Sequence, residues 1–155
     1  VKIDKNIIET LKQMAKKSRD KRARLCLHKD IQDPLHEMII VLCRDSYIRP
    51  HKHINKSESF HIIEGKLLLF IFDDNGKVID CFELGEEGQG KYFLYRAVSN
   101  YWHTPVPISD FVVFHETTNG PFIGKYDSIF SDWSPPETDG FQAKKYLKNL
   151  VNLKC

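Results

Sequence analysis

Two histidines, His51 and His53, lie one residue apart near the middle of the sequence, and Glu58 follows five residues after the second. Because alternate side chains of a β-strand share a face, both imidazoles can point into one cavity, and a short loop brings Glu58 toward it. Two neutral imidazoles and a carboxylate suit a borderline divalent metal ion. His103, on a distant strand, is the best candidate for a fourth ligand. The sequence therefore predicts a metal site formed by these four residues.

Four protein ligands leave open positions on a five- or six-coordinate metal, where a water or a substrate oxygen would be polarised. Glu116 has the same parity as Phe114 on its strand, so we expect it to face inward. A carboxylate there is costly unless it is functional or paired. It suits a general base, and a salt bridge to an arginine is the alternative. Tyr101 and Lys56 are the other catalytic candidates, and Lys56 is equally consistent with a solvated loop lysine.

Three residues are candidates for substrate binding. Arg22 and Arg24 share one face of a predicted strand, and His28 lies further along it. Such a face can bind a phosphate or a carboxylate, although surface charge explains it as well. We therefore predict that Arg24, His28 and Tyr47 contact the substrate.

The elements that position these residues are mainly strands. Turn residues separate them, and Asp73-Asp74-Asn75-Gly76 between two apolar runs is a strong hairpin signal. Short strands at close spacing favour a sandwich or a small barrel over a βαβ fold. The predicted strands are 22–28, 36–43, 46–49, 58–63, 66–73, 77–84, 91–97 and 111–116.

A short helix is predicted at each end of the chain, over about 4–18 and about 139–152. The barrel takes up about 22–120, and the whole of 1–155 is expected to be a single domain. The run KLLLFIF is apolar on both faces, whereas a half-exposed strand alternates. A terminal helix, a second sheet or a second subunit must cover its outer side, and we expect a homodimer on this basis.

Composition narrows the classes of protein. The chain has 155 residues, of which 41% are hydrophobic and 28% charged, so it is neither a disordered tail nor a fibre. No apolar run approaches membrane-span length and no secretory signal is visible, so we expect a cytoplasmic protein. The first thirty residues are basic. We interpret this charge as the solvated face of a helix and expect no nucleic-acid partner. No cysteine pair has C-x-x-C spacing, and buried, reduced thiols are the expectation.

The spacing H-x-H-x4-E-x6-G, formed by His51, His53, Glu58 and Gly65, resembles the first metal-binding motif of the cupin superfamily. His103 resembles the histidine of the second motif. The resemblance implies a cupin-type double-stranded β-helix, a jelly-roll barrel, with a metal site of three histidines and one glutamate. The wider pattern resembles the WbuC-type cupin metalloproteins, which are associated with gene clusters for surface polysaccharide (O-antigen, lipopolysaccharide) synthesis. That pattern is carried by 22–28, 46–76, 101–106, 114–122 and 132–137.

Three functions fit these observations. The first is a metal-dependent isomerase or epimerase that acts on a small polar substrate such as a sugar or sugar nucleotide. The second is an Fe(II)-dependent dioxygenase, because the same ligands hold iron and leave sites for oxygen and substrate. The third is a non-catalytic module that binds a metal and a sugar. Zn, Fe, Ni and Mn all suit the predicted ligands.

Overall fold

Two α-helices and ten β-strands form the part of the chain, residues 1–97 and 100–153, that the computed structural model describes. A single turn of 3-10 helix, Gly124–Tyr126, precedes the last strand. The elements are α1 (Lys5–Lys17), β1 (Arg22–Cys26), β2 (Leu35–Cys43), β3 (His51–Lys52), β4 (Glu58–Glu64), β5 (Lys66–Phe72), β6 (Val78–Gly85), β7 (Leu94–Ala97), β8 (Trp102–Pro107), β9 (Phe111–Asn119), β10 (Ile129–Phe130) and α2 (Gly140–Asn152).

The strands form two antiparallel sheets of five strands each. The first sheet has the order β1-β2-β9-β4-β7, and the second has the order β10-β3-β8-β5-β6. Apolar side chains from both sheets pack between them, with Leu42, Phe60 and Phe114 from the first and Leu67 and Leu69 from the second. This is the jelly-roll arrangement that the sequence predicts.

Helix α1 covers the outer face of the first sheet. The side chain of Asp4 caps it by accepting a hydrogen bond from the amide of Ile7 at 3.0 Å. Leu11 and Ala15 are buried one turn apart and pack against Ile39 and Val41 of β2. The helix begins and ends within one residue of the predicted bounds because its apolar stripe and its cap are both local signals.

Helix α2 explains why β5 is apolar on both faces. Leu67 and Leu69 point into the barrel, whereas Phe70 and Phe72 point outward and pack with Leu147 of α2. Tyr47 and Trp102 complete this second core. A terminal helix therefore covers the outer side of β5, which is one of the three predicted alternatives. The burial of β5 consequently needs no second subunit.

The strand predictions need three corrections. Residues 46–49 form no strand, and the short strand β3 begins instead at His51. β8 was not predicted, because Pro105 and Pro107 argue against a strand. It pairs with β5 along its length and with β3 only at His103, so most of its other edge has no ladder for proline to interrupt. β10 lies beyond residue 120, where the barrel was expected to end.

The cysteines differ from the expectation of buried, reduced thiols. Cys43 is buried and free, as predicted. Cys26 is free but exposed, and Cys81 is disulfide-bonded, so the prediction of a reduced thiol is wrong there. Cys155 lies outside the described residues. No helix within 1–97 or 100–153 has the length and apolar character needed to cross a bilayer.

Candidate metal centre and cavity

Strands of both sheets bring the predicted metal ligands together. His51 on β3 is the direct cross-strand partner of His103 on β8. His53 follows β3, and Glu58 is the first residue of β4 in the facing sheet. Gly65, the last residue of the motif, has a φ of +80°, and a Cβ atom there would collide with the carbonyl oxygen of Phe111. One potential ligand atom from each of the four residues lies within 4.8 Å of the others, a group that could hold a metal ion.

Backbone carbonyls fix the orientation of all three imidazoles. Nδ1 of His51 lies 3.0 Å from the carbonyl oxygen of Arg49, and Nδ1 of His103 lies 3.0 Å from that of Tyr101. Nδ1 of His53 lies 2.6 Å from the carbonyl oxygen of Asp127. A carbonyl only accepts, so each Nδ1 carries the ring proton and donates it. Each Nε2 is then left with a free lone pair, as in the histidine ligands of metal sites.

The ligand atoms face one another without hydrogens between them. Oε1 of Glu58 lies 2.8 Å from Nε2 of His53, and Oε2 lies 3.1 Å from Nε2 of His103. Neither Nε2 carries a proton in this tautomer, and these two nitrogens and Oε2 are buried without a hydrogen-bond partner among the described residues. Lone pairs this close repel unless a cation lies between them. The donor set therefore fits a bound divalent metal ion.

The ionisation states also suit metal binding. Burial, reinforced by the nearby His103, lowers the pKa of His51 to about 3, so this imidazole is neutral. Burial opposes the ionisation of Glu58, but its contacts with His103 and His53 hold its pKa well below the usual range. Burial likewise disfavours protonation of His53, yet the carboxylate of Glu58 raises the pKa of that imidazole. Metal ions bind neutral imidazole and ionised carboxylate, the states in which the three histidines and Glu58 would act as ligands.

A cavity of about 660 Å³ opens over the metal ligands, within the size range of small-molecule sites. Its wall is mainly the inner face of the first sheet, with Met38, Ile40, Phe60 and Phe114. Glu116 also lies on this wall, opposite Met38 of β2 on one side and Phe60 of β4 on the other. Burial, followed by the charge of Glu58, raises the pKa of Glu116 to about 8. The carboxyl therefore keeps its proton to a higher pH than an ordinary glutamate, and it can both donate and accept a proton close to neutral pH.

The basic residues of the cavity differ in their partners. Arg22 forms an ion pair with Glu137 at 2.7 Å. Lys56 forms an ion pair with Asp127, and its Nζ also donates to the carbonyl oxygen of Pro121 at 2.9 Å. The guanidinium of Arg24 contacts Sδ of Met38 at 3.9 Å. Three arginine or lysine side chains within 1–97 and 100–153 line the cavity, those of Arg22, Arg24 and Lys56. Of these three, Arg24 is the one that forms no ion pair with a carboxylate.

Comparison with known proteins identifies the family. The profile of the family described as Domain of unknown function (DUF6016) matches residues 3–84, more than half of the sequence. The chain belongs to this family. The matched residues include His51, His53 and Glu58, and His103 lies beyond them. No curated protein sequence is significantly similar to the chain.

Solved structures show the fold of this DUF6016 protein. L-ribose isomerase from Cellulomonas parahominis aligns with a TM-score of 0.56 and 12% identity, over 71% of this chain and 69% of the isomerase. An uncharacterized conserved protein with a double-stranded β-helix domain from Klebsiella pneumoniae aligns with a TM-score of 0.54 and 12% identity, over 74% and 88%. The Cnp3 cupin domain of Schizosaccharomyces pombe gives 0.50 and 14%, over 65% and 66%.

These likenesses confirm the predicted cupin-type double-stranded β-helix, and at such identities they show the fold alone. Some other matched structures are much longer than the DUF6016 chain, which spans 21% to 31% of them. The activities of those longer proteins are therefore not assigned to this chain.

Two predicted site residues lie outside the cavity of the DUF6016 protein. The hydroxyl of Tyr47 donates to the carbonyl oxygen of Pro135 at 2.9 Å, and its ring packs against Tyr146 of α2. Its position corrects the prediction that it binds substrate, because the apolar surface of α2 covers it. Burial raises the pKa of Tyr47 to about 12. The side chain of Tyr101 is half-exposed and does not line the cavity. Only its carbonyl serves the site, as the acceptor for His103, which corrects its predicted catalytic role.

His28 lines the cavity, as predicted, but it is held by protein groups. Its ring stacks on that of His36 with centroids 4.0 Å apart, and Nδ1 lies 3.1 Å from the carbonyl oxygen of Glu37. Nε2 of His36, by contrast, is buried without a hydrogen-bond partner among the described residues. His36 also lines the cavity, so it is a polar group that sequence reasoning missed.

Asp127 is the most important residue that sequence reasoning missed. It accepts from His53 through its carbonyl oxygen, pairs with Lys56 through its carboxylate, and accepts from the amide of Ile123. It thereby ties the segment before β10 to the loop that carries His53. Lys56 is consequently engaged with Asp127, which argues against the catalytic role predicted for it.

Proposed function

We propose that this DUF6016 protein is a metal-dependent enzyme that isomerises or epimerises a small polar substrate such as a sugar or sugar nucleotide. The observation that supports this most directly is the position of Glu116. Its carboxyl lines the same cavity as His51, His53 and Glu58, and its environment raises its pKa to about 8. Moving a proton at a carbon next to a carbonyl group needs a side chain that accepts and donates protons beside a metal ion that polarises the carbonyl, and Glu116 is placed to be that side chain.

The roles follow from the positions of the side chains. A bound divalent metal ion would polarise a substrate carbonyl or hydroxyl oxygen. In its ionised form, Glu116 takes a proton from the carbon next to that oxygen and returns it to the same carbon or to a neighbouring one, so the carboxylate is regenerated and no proton is gained or lost. The apolar wall around Phe60 and Phe114 limits water at that carboxyl. Asp127 and Lys56 keep His53 oriented, and Arg24 and His28 contact the substrate further along the wall.

The biological setting is proposed from the resemblance to the WbuC-type proteins. We place the reaction in the cytoplasmic synthesis of a surface polysaccharide such as O-antigen. A homodimer is also proposed, and since α2 covers β5, its interface must use another apolar surface. The exposed neighbouring side chains of Phe93 and Leu94, beside and on β7, are candidates for it.

The choice of metal ion separates this proposal from an Fe(II)-dependent dioxygenase. Three imidazoles and a carboxylate also suit Fe(II), and the cavity provides space beside them for a second molecule. Iron in protein purified without added metal, together with oxygen consumption in the presence of a substrate, would identify the dioxygenase. Tight binding of a sugar with no turnover would identify a non-catalytic module.

The experiment that tests the proposal is proton exchange in heavy water. Metal-loaded protein is incubated with a panel of sugars and sugar nucleotides in D₂O, and deuterium at carbon is measured by NMR. We expect exchange into one of them, and a loss of about a hundredfold or more in Glu116→Gln. Glu87→Gln, which changes an exposed loop carboxylate, is the matched control. Exchange that is equally fast in Glu116→Gln would contradict the role of Glu116, and no exchange in any substrate would contradict the reaction.

A further inference from the structure

The inner face of the first sheet carries polar groups in a line that runs away from the metal ligands. Glu58 begins β4, and Glu116 lies on the neighbouring strand β9. Met38 of β2 is the direct partner of Glu116, and the guanidinium of Arg24 on β1 rests against the sulfur of Met38. The metal ligands, the proton-transfer carboxyl and the guanidinium thus follow one another across four adjacent strands.

The charges along this line are unbalanced. Arg22 is neutralised by Glu137, and Lys56 by Asp127. Arg24 retains its charge without a carboxylate partner in the described parts of the chain. Burial and the charge of Glu58 raise the pKa of Glu116 more than Arg24 lowers it, and the side chains of Arg24 and Glu116 form no ion pair within residues 1–97 and 100–153. A divalent metal held by a single carboxylate adds further positive charge, so the loaded cavity favours an anion.

We propose that the substrate is an anion whose carboxylate or phosphate group binds Arg24 while another of its oxygens lies at the metal. This inference rests on the proposed function and names its substrate class. The planar guanidinium binds either group through two parallel hydrogen bonds. Arg24 would thus be a specificity-determining residue, and the metal and Glu116 would act on the other part of the molecule.

The spacing of the strands sets the size of the substrate. Strands β4 and β1 are separated by β9 and β2, and Arg24 is level with Ile62, four residues along β4 from Glu58. At about 4.8 Å per strand and about 3.4 Å per residue, the backbones of Arg24 and Glu58 are roughly 20 Å apart. Side chains that extend over the sheet from both ends shorten this gap, and Arg24 reaches as far as Met38. A ring of hexose size with one anionic substituent is a reasonable fit to that gap and to the cavity of about 660 Å³.

The experiment compares three ligands that share one sugar ring. Binding of glucose 6-phosphate, glucuronate and glucose to the zinc-loaded protein is measured by isothermal titration calorimetry. We expect at least one of the two anions to bind about tenfold or more tightly than glucose, and Arg24→Gln to remove that advantage. A preference for glucose 6-phosphate indicates a phosphate group as the natural anion, and a preference for glucuronate indicates a carboxylate.

Two further variants keep the result interpretable. Arg44→Gln removes the same charge from an exposed site outside the cavity, and we expect it to bind all three ligands as the unchanged protein does. Arg24→Lys keeps the charge but not the paired hydrogen bonds, and we expect intermediate affinity for the anion. Metal content and thermal unfolding of each variant establish that it is folded and loaded.

The outcomes separate this inference from the proposed function. Equal affinity for the anions and glucose, no binding of any of the three, or anion binding that is unchanged in Arg24→Gln overturns the inference even if deuterium exchange occurs in another substrate. Anion binding that depends on Arg24 supports the inference even if no exchange is found, in which case the isomerase proposal alone fails.

Discussion

The carbonyl oxygen of Asp127 lies 2.6 Å from Nδ1 of His53, a residue 74 positions earlier in the chain. The contact fixes the tautomer that leaves Nε2 of His53 free for a metal. Asp127 is itself held in place, because its buried carboxylate pairs with Lys56 and accepts from the amide of Ile123. The orientation of a metal ligand therefore depends on an ion pair outside the ligand set.

We expect Asp127→Asn to weaken metal binding by about ten- to a hundredfold. The substitution keeps the size of the side chain but removes the charge that holds Lys56, so the carbonyl that orients His53 is less firmly fixed. Affinity is measured by competition for zinc with a chromophoric chelator. Asp132→Asn, at an exposed position in the same region, should retain the original affinity. If the two variants bind zinc equally well, the ion pair does not support the site.

The four ligands themselves make a direct prediction. We expect His51→Ala and His103→Ala each to lose most of the metal found in protein purified without added metal. Zinc should also stabilise the unchanged protein by about 2.7 kcal/mol at a free concentration of a hundred times its dissociation constant, and these variants much less. His61→Ala removes an exposed imidazole outside the cluster and serves as the control. Full metal content in His103→Ala would mean that the site lies elsewhere.

The sequence predicted the parts of the site that are close together in the chain. His51, His53 and Glu58 are linked by one short loop, so their spacing carries the geometry. The carbonyl oxygens of Arg49, Tyr101 and Asp127 could not be predicted, because every residue has a carbonyl and only the fold selects these three. The same holds for the pairing of Lys56 with Asp127, which brings together groups from distant segments.

The fold shows a similar division. The apolar stripe of α1 and the two apolar faces of β5 are local patterns. The first predicted the helix and its buried face, whereas the second predicted only that the outer side of β5 is covered and left the choice between a helix, a sheet and a second subunit open. Tyr47 was misplaced because its hydroxyl and ring are occupied by residues near the C-terminal end, Pro135 and Tyr146. β8 was missed because its prolines conceal a strand that is paired mainly on one side.

The packing of α2 on β5 predicts a specific loss of stability. Leu150 is 4% exposed and belongs to the core that α2 shares with Phe70 and Phe72. We expect Leu150→Ala to lower the free energy of unfolding by about 2–5 kcal/mol, because it removes buried methyl groups and leaves a cavity. Val151→Ala, at an adjacent position that is 42% exposed, should change it by less than about 0.5 kcal/mol. Urea unfolding measures both, and equal losses would show that α2 does not cover the strand.

Glu116 predicts how stability depends on pH in the metal-free protein. Its pKa is raised to about 8 in the folded state by burial and by the charge of Glu58, against about 4.5 in the unfolded chain. Between these values the folded state holds a proton that the unfolded state has released. Glu116 therefore lowers the free energy of unfolding as the pH rises from about 4.5 to about 8, by at most about 1.4 kcal/mol per pH unit. Below and above this window its contribution is constant.

Glu116→Gln cannot titrate, so its free energy of unfolding relative to that of the unchanged protein should rise through the same window and level off above about pH 8. The difference between the two proteins cancels the titration of most other groups, and any constant cost of the amide shifts the curve without changing its slope. Glu87→Gln, which alters an exposed carboxylate, should give a difference close to flat. Urea unfolding at intervals between pH 4 and pH 9 measures both curves. A flat difference for Glu116→Gln would mean that the carboxyl ionises normally in the cavity, and Glu116 would then be a poor proton donor at neutral pH.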